Sequence, residues 1–142
     1  MATIKFDGFD KYLKLLDGID KNRNAIIKPA VYEGAAVVVE EVKKNLLRVV
    51  GPDSTGDLER SMGLSEMQDD QGFVNTKLGF DGYDRRGNPN IVKARALESG
   101  TSKQPKRPFI RPAVNAVKER TVSVMSDAVD EQIQKIMDKE RG

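Results

Sequence analysis

The chain has 142 residues, enough for one domain (1–142) with a core of its own and little left for a second. Lysine and arginine number 24 against 22 aspartates and glutamates, and a net charge of +2 makes no general case for a nucleic-acid binder. Cysteine and histidine are absent, which excludes disulfides, thiolate chemistry and imidazole as base or metal ligand, so no enzyme and no cofactor is expected.

The N-terminus, Met1 to Asp7, lacks an apolar core of signal-peptide length, and no stretch approaches the roughly 20 apolar residues that span a bilayer. A cytoplasmic chain is expected, or one built into something assembled there, without membrane contact. A short amphipathic segment comes first, with Phe9, Tyr12, Leu13, Leu15 and Leu16 at helical spacing before a stop at Gly18. Asp20 then suits an N-cap. Ile26, Ile27, Ala30, Val31, Ala35, Val38, Val39, Val42, Leu46 and Val49 recur at i, i+3, i+4 and i+7, the pattern of a helix with one buried face. Val37 to Val39 could open a strand, but Glu40, Glu41, Lys43 and Lys44 continue the helical period. The helical region thus runs over 9–50, with Pro29 expected to kink or restart it and Gly51-Pro52 to end it.

In Pro52 to Ser61 the hydroxyl of Ser54 or Thr55 can accept N–H groups of a short helical turn carrying Leu58 and Met62; a plain helix-to-strand connection is the simpler alternative. A β and loop region is expected over 62–111. Met62 to Met67 and Gly72 to Phe80 read as strands joined at Asp69 to Gly72, with Val74, Leu78 and Phe80 facing the core. Asp81 to Asn90 is dense in turn residues and charge. Its Asp81 and Asp84 lack the alternating ligands of a calcium loop and stand beside Arg85 and Arg86, which favours a solvated loop. Between Asp81 and Arg111 eight basic residues face three acidic ones, a local patch on a nearly neutral chain.

Lys103 to Arg111 is stiffened by Pro105 and Pro108, each of which fixes its own φ and extends the residue before it. Pro112 then opens a C-terminal helix over 112–139 as its first residue. Val114, Val117, Thr121, Val124, Met125, Ala128, Val129, Ile133, Ile136 and Met137 make its apolar stripe, which is expected to pack on the domain's own sheet in preference to a partner helix. About 27 helical residues would reach about 40 Å, so the last turns are expected to overhang.

Two motifs together resemble a known family. Pro52, Thr55, Gly56, Leu58 and Ser61 fit P-x-x-T-G-x-L-x-x-S, while Glu98, Gly100, Thr101, Arg107, Pro108, Phe109, Arg111, Pro112 and Ala113 fit E-x-G-T followed by R-P-F-x-R-P-A. In this order between two helices they resemble the minor tail component family of lambdoid-type long-tailed bacteriophages, whose members are tail-completion and head-to-tail joining proteins. Ser99 stands where that family is often aromatic, and Lys106 where a small residue is common. The resemblance implies an α+β fold, a small antiparallel β-sheet flanked by a long N-terminal helix and a long C-terminal helix, with no catalytic activity. It also implies a virion protein of a phage or prophage, made in the bacterial cytoplasm. Such a protein forms a homo-oligomeric ring in the neck, six subunits being the first number to test, between tail tube or terminator proteins and head connector proteins.

The residues themselves suit docking. A segment of fixed shape loses little entropy when it reaches a neighbour. Phe109 is a candidate buried anchor, Arg107 and Arg111 candidate contacts for carboxylates of an adjacent subunit, and Glu98 a candidate partner for one of these arginines. The plainer alternative packs Phe109 on its own sheet. A reading from a different class gives the 81–111 segment to non-specific DNA contact, although only Tyr83 and Phe109 there could stack on bases. Carboxylate pairs such as Glu40 with Glu41 or Asp69 with Asp70 are more simply helix surface and turn.

Overall fold

The computed structural model describes residues 16–51 and 54–141, and for Glu140 and Arg141 the backbone only. Residues 16–21 are helical and run through Gly18, so neither the expected stop at Gly18 nor a cap at Asp20 is found. The intervening Asn22 turns its side-chain amide back to the Gly18 carbonyl at 2.7 Å. Phe9, Tyr12, Leu13 and Leu15 lie outside the described residues. Helix α1, Arg23–Val50, then continues without a break at Pro29, whose missing N–H costs one intrahelical bond to Ala25. Gly51 terminates it with φ +77°.

The architecture is α+β: two long helices and a small antiparallel β region. The C-terminal helix, α4, spans Ile110–Arg141 and starts two residues ahead of the position expected from Pro112. Its apolar stripe packs on α1, not on the sheet that the sequence suggested. The two helices run antiparallel. Asn45 donates to the Phe109 carbonyl at 3.3 Å, Gly34 lies against Thr121 and Met125, and Ile26 shares a cleft with Val129 and Ile133. Small residues recur at the contact, with Ala30, Gly34, Ala113 and Ala128 all buried, so the backbones approach closely. A β-carbon on Gly34 would stand 2.6 Å from Met125 Cγ.

Between the helices come a short α2, Asp57–Arg60, four strands and a ten-residue α3, Asn90–Ser99. The strands are β1, Met62–Leu64; β2, Gln68–Asp70; β3, Phe73–Asn75; and β4, Leu78–Phe80. Two continuous strands were expected, but the hairpin is interrupted. Leu64 opposes Leu78 and Gln68 opposes Asn75, so Ser65, Glu66 and Met67 face only Thr76 and Lys77. One extra residue is a bulge. Ser65 fastens it: its hydroxyl accepts the Lys77 N–H at 2.9 Å, and its carbonyl accepts the Thr76 hydroxyl at 2.7 Å. Because the bulge lies on the first strand, alternation along 73–80 survives, and Val74 and Phe80 are buried with Leu78 packed against the core as expected. The reversal is tighter than expected. Gln71 and Gly72 both have positive φ, 55° and 88°, as a two-residue type I′ turn demands.

Helix α3 lies inside the region expected to be strand and loop. It buries Asn90, Ala94 and Leu97, the last two in a cluster with Val42, Leu46, Leu58, Phe80, Phe109 and Ala113. That cluster joins α2, α3 and β4, with Met62 of β1 packed against it, to the facing ends of α1 and α4.

Candidate functional site

The residues of the second motif meet where α3 hands over to α4. Helix α3 closes at Gly100, whose φ of +76° favours glycine, and a β-carbon there would stand 2.9 Å from the Lys106 backbone nitrogen. Thr101 and Gln104 exchange backbone bonds at 2.9 and 3.3 Å, which turns the chain back along α3. Lys106 to Pro108 then runs outside helix and strand, tied by the Arg107 N–H to the Leu97 carbonyl at 2.7 Å.

Glu98 is the fastener. Its carboxylate accepts the N–H groups of Phe109, Ile110 and Arg111 at 2.8, 2.9 and 2.9 Å. A helix start leaves four N–H groups without an intrahelical acceptor. Glu98 takes three, and Pro112 has none to offer. Burial pushes the Glu98 carboxyl up, but the three N–H donors and the nearby Arg111 charge outweigh it and hold the group below its ordinary value. The expected pairing of Glu98 with an arginine side chain is therefore corrected: its hydrogen bonds go to main chain, where the orphan donors are.

Of the two readings of Phe109, packing within its own chain holds and the anchor reading does not. Phe109 is fully buried in its own protomer, edge-on to Phe80 with ring centroids 6.0 Å apart, and offers nothing to a neighbour. A benzyl group beside so large an apolar cluster is worth more inside it than on an arm. Arg107 bridges inward too, its guanidinium donating to the Val49 carbonyl at 3.2 Å near the end of α1. Lys106, Pro108, Arg111 and Pro112 remain exposed along the segment. With Glu98, Ser99 and Asn115 they bound an open cleft of about 480 Å³.

The first motif packs against the same module from the other side. Pro52 lies outside the described residues. Thr55 Oγ1 accepts the Asp57 N–H at 3.4 Å and Ser54 Oγ accepts that of Gly56 at 3.2 Å, so both hydroxyls act at this turn. Gly56, at φ +78°, precedes α2, Leu58 is buried, and the Ser61 hydroxyl donates to the Leu58 carbonyl at 2.6 Å. Met62 begins β1, as the strand reading of Met62 to Met67 expected, and is not part of the helical turn.

Two carboxylates that the sequence reading did not single out as anchors organise the loops. Asp57 pairs with Arg60 at 2.6 Å and Arg85 at 3.3 Å. Asp84 accepts the N–H groups of Asn88 and Arg86 and pairs with Lys93 at 3.1 Å. The Asn88 N–H first, then Lys93 and the Arg86 N–H, overcome burial and hold Asp84 at about 2. Asp-x-x-x-Asn around Gly87 was the available signal, since an aspartate commonly accepts the N–H groups of its own turn. The basic segment is thereby partly neutralised: Arg85 and Lys93 are paired and Arg107 is bonded to main chain, while Arg86, Arg95, Lys103, Lys106 and Arg111 make no ion pair among the described residues.

Among the described residues, no three acidic side chains gather as a metal site, and no helix is long and apolar enough to cross a membrane. Comparison with protein families, with curated proteins and with solved structures finds no match to this chain.

Proposed function

We propose that the chain is a structural virion protein of a phage or prophage, a tail-completion or head-to-tail joining component that assembles as a ring at the head-proximal end of the tail, with no enzymatic role. The observation that carries this reading is the convergence of both motifs on one module. Leu58 of the first shares a buried cluster with Phe109 and Ala113 of the second, and Glu98 and Gly100 shape the turn between α3 and α4. The spacing that resembles the tail proteins thus has a common mechanical purpose: it fixes the relative position of α1, α3 and α4 and leaves Lys106 and Arg111 displayed on a rigid edge. A ring subunit needs such an edge, because ordering a loose arm at each interface would cost about 1–2 kcal/mol per residue. Particles made without this chain are expected to accumulate as separate heads and tails, and the purified chain to restore joined particles in electron micrographs. Particles that stay unjoined after its addition overturn the reading.

A second reading rests on the five cations left without ion pairs, which favour non-specific contact with duplex DNA in a neck channel. Its expected signature is binding that weakens steeply with salt, by a logarithmic slope of about −4.5 if all five meet phosphates. Absence of binding at low salt removes it.

A further inference from the structure

The outer surface of the hairpin and the cleft beside α4 complement one another, and they lie at opposite ends of the helix pair. Asp70 and Phe73 are direct cross-strand partners, so they share one face of the β2–β3 ribbon, the face opposite buried Val74. Phe73 is 72% exposed. Asp69, opposite Val74, lies on the other face and accepts the Gly72 N–H at 2.8 Å, Asp70 accepts one hydrogen bond from the Asn75 amide at 2.9 Å, and no ion pair engages Asp70, Asp69 or Glu66 among the described residues. Lys77 lies further down the ribbon, and Arg23 at its tip donates to the Gly72 carbonyl at 2.8 Å. The cleft is the converse: Lys106 and Arg111 stand on its rim, Pro108 and Pro112 give it apolar wall, and Glu98 is already occupied by three main-chain donors. Arg23 touches the ribbon tip and Asn45 touches the Phe109 carbonyl near the cleft; along α1 these two are about 33 Å apart at 1.5 Å per residue. Tip and cleft of one chain therefore cannot meet.

We propose that the cleft receives the β2–β3 tip of a second copy of this chain, with Phe73 laid against Pro108 and Pro112 and Asp70 facing Arg111 and Lys106. Two different patches make the contact, so it is heterologous, and repetition closes a ring or runs on as a filament. The contact supplies the subunit interface of the ring and rests on that reading for its closure alone.

The absence of cysteine makes the test clean. In the full chain carrying Gln71→Cys and Asn115→Cys, a disulfide within one copy is impossible, because Gln71 neighbours Gly72 at the Arg23 end of α1 and Asn115 lies in the cleft at its other end, far beyond the roughly 7 Å that a disulfide can bridge between α-carbons. Oxidation at rising concentration and low salt is expected to give a ladder of covalent dimers and higher multimers. Phe73→Ala with Asp70→Asn, or Lys106→Gln with Arg111→Gln, is expected to reduce the ladder at least tenfold while the circular dichroism and melting temperature stay unchanged. No ladder at any concentration, or one indifferent to both sets of substitutions, overturns the contact. Duplex DNA bound through Lys106 and Arg111 without a ladder also overturns it and assigns the cleft to phosphate. Joined heads and tails without a ladder remove this contact and leave the proposed function standing; a ladder without joining does the reverse.

Discussion

Truncating Phe109 to alanine deletes a fully buried ring that packs between the C-terminal end of α1 and the start of α4, and leaves a void in the main cluster. The expected loss is about 3–5 kcal/mol, read as a lower urea midpoint, a large part of the 5–15 kcal/mol typical of a domain. An intact midpoint would mean that the ring is not core. Glu98 makes a different prediction. Its carboxyl lies below the ordinary 4.5 in the folded chain, so its contribution is fully present above that pH and is lost as pH falls through the folded value. Glu98→Gln should cost about 1–3 kcal/mol at neutral pH and flatten the fall in stability below pH 4.5, which urea titrations at stepped pH would measure. Asp84 acts lower: its contribution fades from 3.8 towards about 2, so Asp84→Asn should flatten the last part of the acid limb.

The long helices were legible because their apolar residues return every three or four positions for many turns. The partner of the C-terminal stripe was not, since periodicity shows that a face is buried and not what covers it. The small residues were the missing clue: Ala30 and Gly34 on α1 suit another helix backbone better than a sheet. Gly34→Leu should force the pair apart, costing about 1–3 kcal/mol in thermal or urea denaturation while leaving the β region folded. Helix α3 escaped notice because ten residues carry only three buried positions, one of them Asn90, within a stretch rich in turn residues. Its bounds were nonetheless written, with Pro89 before it and Gly100 after it. The bulge was not legible at all; a single extra residue leaves no mark on composition, and only the pairing reveals it. The motif residues themselves were found, but Glu98 serves three orphan amides where an arginine side chain was expected, and Phe109 follows the plainer of its two readings, because a buried ring and orphan amides are satisfied more cheaply at home.

At the scale of the molecule, the chain is a helical hairpin with acidic ribbon at one end and basic edge at the other. Self-assembly driven by such ends should weaken as salt rises from about 0.05 M to about 0.5 M, because screening shortens the reach of exposed charges from over 10 Å to a few ångströms. Light scattering across that range checks this, and assembly insensitive to salt would point to an apolar contact instead.

Most helices begin with an electropositive socket of bare amides into which a passing phosphate or carboxylate can plug. In α4 that socket is stoppered by the chain's own glutamate and by an imino acid, so a visiting anion meets exposed lysine and arginine side chains in place of bare amides. The affinity of this edge for anions therefore resides in side chains, which substitution can remove without disturbing the start of the helix.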